Sequence, residues 1–146
     1  MRCSQRLMAG SLVGLVMVLS ACATVPEEET AGSGGATLKV VDGIAHITLE
    51  PDAAERLGIE STPIRTVGKG GTGTTRVMPE GALLYEPTGE PFVYMKTDDL
   101  KFEHARIKVD RSVGDQVFLL DGPPADTEVV TQGGSELWGV ETEIDA

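Results

Sequence analysis

Residues 37–49 read TLKVVDGIAHITL. Two alternating runs flank Asp42-Gly43, a dipeptide favoured in two-residue type I′ hairpin turns because both central residues need positive φ. Pairing Val41 with Ile44 sets Lys39 opposite His46. The same register collects Leu38, Val40, Ala45, Ile47 and Leu49 on the other face, which is the predicted core face. A two-stranded hairpin is marginal in water, so this face needs covering partners from the rest of the chain.

Those partners are mostly strands. First comes PDAAERLG (51–58), which reads as one short helix with Pro51 in the first helical position and Gly58 at the stop. Asp52 and Arg56 match the sign of the helix dipole at their respective ends. IESTPIRTV (59–67) is strand-like, and Pro63 argues for a sheet edge, where its missing N–H does no harm. The glycine-rich stretch 67–76 reads as a flexible joint. Beyond it, strands are expected around 82–85, 91–97, 102–109, 116–120 and 128–131. Turns are expected at 86–90, 97–101, 111–115 and 121–127. Many short strands separated by Gly, Pro and Asp turns imply a mainly β protein, a small antiparallel β-roll or β-barrel-like domain over residues 37–146.

The other end of the chain is of a different kind. The apolar run from Leu7 to Leu19 falls short of the about 20 residues that cross a bilayer. Arg2 and Arg6 precede it and small residues follow, which is the layout of an export signal. Leu19-Ser20-Ala21-Cys22 resembles the lipobox of bacterial lipoproteins, in which the signal is cut before the cysteine and its sulfur takes a diacylglyceryl group. The resemblance implies a signal over residues 1–21 and a lipid anchor at Cys22. Palmitate and other fatty acyl groups would hold the chain to the cell envelope, facing the periplasm. Residues 22–36, rich in Glu, Gly, Ser, Thr and Pro, read as a tether, roughly 20 Å long as a coil and roughly 50 Å extended. Of the two cysteines, Cys3 would leave with the signal, so no disulfide is expected.

Charge narrows the function classes. The chain carries 23 Asp+Glu against 12 Lys+Arg, a net charge of −11, and loss of the signal makes it more negative. Such a surface repels nucleic acid. The stretch GKGGTGTT (68–75) resembles a phosphate-binding loop only superficially, because Thr74 stands where the phosphate-reaching lysine belongs. It reads as a loop. No cofactor motif is present. The histidines, His46 and His104, have neither metal-ligand spacing nor a serine placed by motif. Met78 and Met95 could serve Cu(I) or Ag(I), with His46 and His104 as further donors, but methionine is far commoner as core filler. Asp42, Asp98, Asp99, Asp115, Asp121 and Asp126 fall at predicted turns, which they cap and solvate. An enzyme is not expected.

Residues 77–137, VMPEGALLYEPTGEPFVYMKTDDLKFEHARIKVDRSVGDQVFLLDGPPADTEVVTQGGSEL, resemble the membrane-proximal end of the periplasmic adaptors, or membrane fusion proteins, of RND-type efflux pumps. The features that carry the resemblance are Val77 and Pro79, Ala82-Leu83, Phe92-Val93, Val109, Gly114-Asp115, Gly122, Val129-Val130, and Gly134 with Leu137. ITLEPDAAERLGIESTPI (47–64) resembles the segment by which these adaptors enter the same domain from its N-terminal side. In full adaptors a biotinyl-lipoyl-like module, an α-helical hairpin and a β-barrel lie between the two segments. Here RTVGKGGTGTTR takes their place. Asp110 and Asp126 also stand where the family often has turn glycines.

The resemblance implies a lipid-anchored, non-enzymatic efflux component that docks on an RND-type transporter or its adaptor subunits, with further copies of itself as another partner. Exposed turns are where a β scaffold carries such contacts. The candidates are Thr88-Gly89, Asp98-Asp99 and Pro123-Pro124. Two other readings stand beside this one: a periplasmic heavy-metal-binding lipoprotein, and a stand-alone structural lipoprotein of the envelope.

Overall fold

The computed structural model describes residues 30–69 and 73–144. The expected signal, Cys22, the start of the tether and the centre of the glycine-rich joint lie outside the described residues.

The elements run β1 (Thr30–Ser33), β2 (Ala36–Val41), β3 (Ile44–Leu49), α1 (Pro51–Leu57), β4 (Glu60–Pro63), β5 (Arg65–Lys69) and β6 (Gly73–Pro79), then a 3-10 turn at Glu80–Ala82. They continue with β7 (Leu84–Tyr85), β8 (Pro91–Asp98), β9 (Lys101–Arg106), β10 (Lys108–Val113), β11 (Gln116–Asp121), β12 (Glu128–Gln132) and α2 (Gly134–Ile144). The protein is mainly β, as expected. One sheet has the order β1-β2-β3-β9-β8-β12-β4, with β7 added beside β8, and the other has the order β10-β11-β6-β5.

The β2–β3 hairpin forms in the predicted register, with Val41 opposite Ile44 and Lys39 opposite His46. Asp42 and Gly43 take φ of 52° and 76°, the signature of the type I′ turn. Leu38, Ala45, Ile47 and Leu49 are buried on the expected face, with Val40 packed against them. Helix α1 starts at Pro51 and ends at Gly58, whose N–H reaches back to the Ala54 and Glu55 carbonyls. Strand β4, with Pro63, is an edge strand.

Around β8 and β12 the larger sheet is buried on both faces. In β8, Phe92 and Tyr94 join a core cluster with Ile47, Phe102, Val130 and Leu137, against which Leu57 of α1 and Trp138 of α2 pack. Val93, between them, joins Ile64, Met78, Val117, Leu119 and Val129 in a second cluster. Strand side chains alternate between faces, so the helices cover one face and the smaller sheet covers the other.

Three expectations need correction. The tether gives up its last part: residues 30–33 form β1, paired with β2 from Thr30–Lys39 to Ser33–Ala36. No apolar pattern marks this segment, but β2 would otherwise present unpaired backbone N–H and C=O groups, which β1 satisfies. The single strand expected over 102–109 is two strands in different sheets. Ile107 is buried at the break, and its N–H bonds the Pro91 carbonyl at 3.1 Å. The described flanks of the glycine-rich joint form the β5–β6 hairpin, paired from Arg65–Val77 to Lys69–Gly73. A second helix, α2, adds to the one expected.

Candidate functional site

The two histidines lie on opposite faces of the larger sheet. His46 is opposite Lys39 and Glu103 in register, and its Nδ1 is 3.7 Å from the Glu103 carboxylate. His104 is opposite Tyr94, whose ring is in the helix-covered core. Met78 is buried in the second cluster with Met95 packed against that cluster. The four residues weighed as soft metal ligands are therefore not brought together. Among the described residues no group of three or more His, Cys, Asp and Glu side chains has metal-holding geometry.

The docking candidates are only partly brought together. Thr88 and Gly89 are exposed on the turn before β8, and Asp98 and Asp99 are exposed at its far end. Strand β8 has 8 residues and a strand rises about 3.3 Å per residue, so about 25 Å separates the two turns. Lys96 reaches both Asp99 (3.4 Å) and Glu128 at the start of β12 (3.7 Å). The loop before β12, with exposed Pro124, thus belongs to the Asp98-Asp99 end. Lys101 bonds the Asp98 carboxylate at 3.0 Å. That bond, then the backbone N–H of Asp99, holds the Asp98 carboxyl below its ordinary value. Pro123 corrects the expectation: it is buried, and its carbonyl accepts a hydrogen bond from Arg76 Nη1 at 2.7 Å. Arg76 also bonds the Gly122 carbonyl, so this part of the loop is tied inward rather than presented.

A polar cluster that sequence reasoning missed is built around His104. Its ring stacks on Phe92 with centroids 4.1 Å apart and 17° between planes. Nδ1 lies 3.1 and 3.2 Å from the two carboxylate oxygens of Glu141, on α2. A carboxylate only accepts, so Nδ1 carries the hydrogen. Tyr94 donates its hydroxyl to the same carboxylate. The buried Nε2 has no hydrogen-bond partner among the described residues and lies 3.4 Å from Glu86 Oε1. Glu86 in turn accepts from Arg106 Nε at 3.2 Å. Burial first, then the hydrogen bond to Glu141 and the charge of Glu141, push the Tyr94 phenol far above its ordinary value of 10.0. Two sheet residues thus grip one glutamate of α2, and this grip fixes the helix over the core.

Beside the cluster is an open groove of about 340 Å³ between the β2–β3 hairpin and α2, lined by Glu86, His104, Arg106, Trp138 and Glu141 together with apolar hairpin residues. Among the described residues the lining holds carboxylates and an imidazole but no serine, threonine or cysteine. It can bind and orient, and it offers no hydroxyl or thiol nucleophile beside the imidazole. The only trace of this site in the sequence was helix-compatible spacing: Leu137, Trp138 and Glu141 fall on one side of a helical turn.

The chain matches no protein-family model and no curated protein sequence. Among solved structures it is similar to a 180-residue segment of SilB from Cupriavidus metallidurans CH34, determined by NMR, which encompasses the N-terminal metal-binding site and the membrane-proximal domain. The TM-score is 0.45 and the identity 21%, over 58% of this chain and 48% of the SilB segment, so the match spans just under half of that segment. No helix among the described residues is long and apolar enough to cross a membrane.

Proposed function

We propose that the chain is a lipid-anchored, periplasm-facing, non-enzymatic component of an efflux system, equivalent to the membrane-proximal domain of an RND-type adaptor without the lipoyl, helical-hairpin and barrel modules. One topological observation carries the reading. The segments that resemble adaptor sequence, 47–64 and 77–137, interleave in one sheet, with β3 beside β9 and β4 beside β12. Between them the chain runs out along β5 and back along β6, and Arg65 is opposite Val77. Cα atoms paired across antiparallel strands are about 5 Å apart. An inserted module needs its two ends this close. A hairpin here is what deletion of the adaptor modules would leave.

The anchor is Cys22. Two or more acyl chains hold a protein stably where one does not. Docking falls to the exposed turns, Asp98-Asp99 with Pro124 at one end of β8 and Thr88-Gly89 at the other. Two experiments test the reading. A photo-crosslinking residue at Asp99 or Thr88 in native membranes should capture RND transporter or adaptor subunits, identified by mass spectrometry. Capture of neither subunit from either position refutes docking. Cys22→Ser should lose radioactive palmitate label and move to the soluble fraction, and an unlabelled wild type refutes the anchor.

A further inference from the structure

We propose that the groove between the β2–β3 hairpin and α2 binds a small ammonium ion that carries an apolar group. The assignment does not depend on the efflux reading. Its volume, about 340 Å³, is at the lower end of the range for small-molecule sites. The hairpin supplies an apolar floor through Leu38, Val40 and Ala45. The half-buried indole of Trp138, on α2, supplies an aromatic wall, and an indole face attracts cations more strongly than other aromatic rings do.

The polar end selects the charge. Glu86 and Glu141 both line the groove and flank the His104 ring. The ring cannot turn away, because Phe92 stacks on it and Glu141 holds its Nδ1. The groove therefore presents the Glu86 carboxylate, whose Oε1 lies 3.4 Å from the buried His104 Nε2. Arg106 is the one fixed cation of the lining, and its side chain is 69% exposed, so water weakens its hold on Glu86. Two carboxylates beside one exposed arginine and one imidazole favour a ligand that brings both positive charge and N–H donors. A chain of net charge −11 adds a field of the same sign.

The test uses the full chain in a non-ionic detergent and phenethylammonium as probe. Trp138 is the single tryptophan of the chain, so its fluorescence reports the groove alone. A saturable change is expected with half-saturation on the order of 1 mM or below, the scale of a good ligand of this size. The neutral analogue 2-phenylethanol should bind about tenfold more weakly, and phenylacetate more weakly still. Binding of the cation should weaken with added NaCl and fall severalfold in Glu86→Gln. Glu86 lies outside the Tyr94–His104–Glu141 grip, so this variant leaves the helix held. Amide and indole shifts in ¹⁵N spectra of the wild type provide a second measurement, and they should concentrate at Ala45, His104 and Trp138. No saturation up to about 10 mM, ten times the expected value, overturns the proposal. So do equal affinities for the three probes, or shifts that map elsewhere.

Discussion

Removing one oxygen atom tests the grip on α2. Tyr94→Phe keeps the ring, which is fully buried and edge-on to Phe92, and deletes the hydroxyl that donates to Glu141. The glutamate is not orphaned, because His104 Nδ1 still faces it. The cost is therefore that of one hydrogen bond to a charged acceptor, about 2 kcal/mol within a range of about 1.5–3. Urea denaturation at pH 7, followed by circular dichroism, measures this gap. The phenol makes the gap pH-dependent. Its folded-state value is raised far above 10.0, so between those values the unfolded chain loses a proton that the native chain keeps. Stability from Tyr94 is thus fully present below about pH 10 and is lost as pH rises above it, by about 1.4 kcal/mol per unit. The phenylalanine variant lacks this slope, while every other alkaline titration is common to both proteins. The gap should stay near 2 kcal/mol up to about pH 9.5 and close by about pH 11.5. A gap under about 0.5 kcal/mol at pH 7 would mean that no such bond forms. A gap that does not narrow with pH would mean that the phenol ionises as freely in the native state as in the unfolded one.

Other positions separate local strain from crowding. Gly133 has φ of 84°, and a Cβ there would come within 2.5 Å of Ile59 Cδ1 and 3.0 Å of the Leu57 carbonyl oxygen. Gly43 has φ of 76° with nothing within 4 Å. Gly43→Ala should therefore cost about 1–2 kcal/mol of backbone strain alone, and Gly133→Ala about 3 kcal/mol, since overpacking adds to the same strain; equal losses by urea denaturation would contradict the packing at Gly133. Asp126 takes φ of 67°, so Asp126→Gly should raise the urea midpoint, by about 0.5–1 kcal/mol in stability, and a lowered midpoint would count against a strained turn. Asp98 owes its depressed value chiefly to Lys101. Its stabilising effect is present above the ordinary value of 3.8 and fades as pH falls through the lowered one. Carboxyl ¹³C shifts should show Asp98 titrating below 3.8 and returning towards it in Lys101→Gln; no change in that variant would remove the pair as the cause.

How much of this was legible follows from how local each cause is. The β2–β3 hairpin could be read to the residue, because turn chemistry at Asp42-Gly43 and alternation on both sides specify one register, and slipping it would expose Ile47 and Leu49. Helix α1 was legible through Pro51 and Gly58. The break between β9 and β10 could not be read from the apolar pattern. Phe102 is buried with the helix-covered cluster, whereas Ile107 and Val109 belong to the other. Even and odd positions thus face opposite clusters, which is what one continuous strand would also show. Strand β1 left no trace, because what holds it is the open edge of β2 and not its own side chains. Asp126 could be suspected as a strained turn from the glycine it replaces, and its positive φ agrees with that suspicion, whereas Leu100, with φ of 59°, carried no such signal. The groove was the least legible feature. Its acidic end joins a turn residue, a strand residue and a helix residue, with His104 and Glu141 37 positions apart. No spacing rule links residues whose proximity arises only when α2 folds back over a sheet assembled from distant strands. The same fact makes the groove sensitive to the fold. Glu141 keeps its place through Tyr94 and His104, so loss of that grip would open the helix side of the groove before it unfolded the sheet.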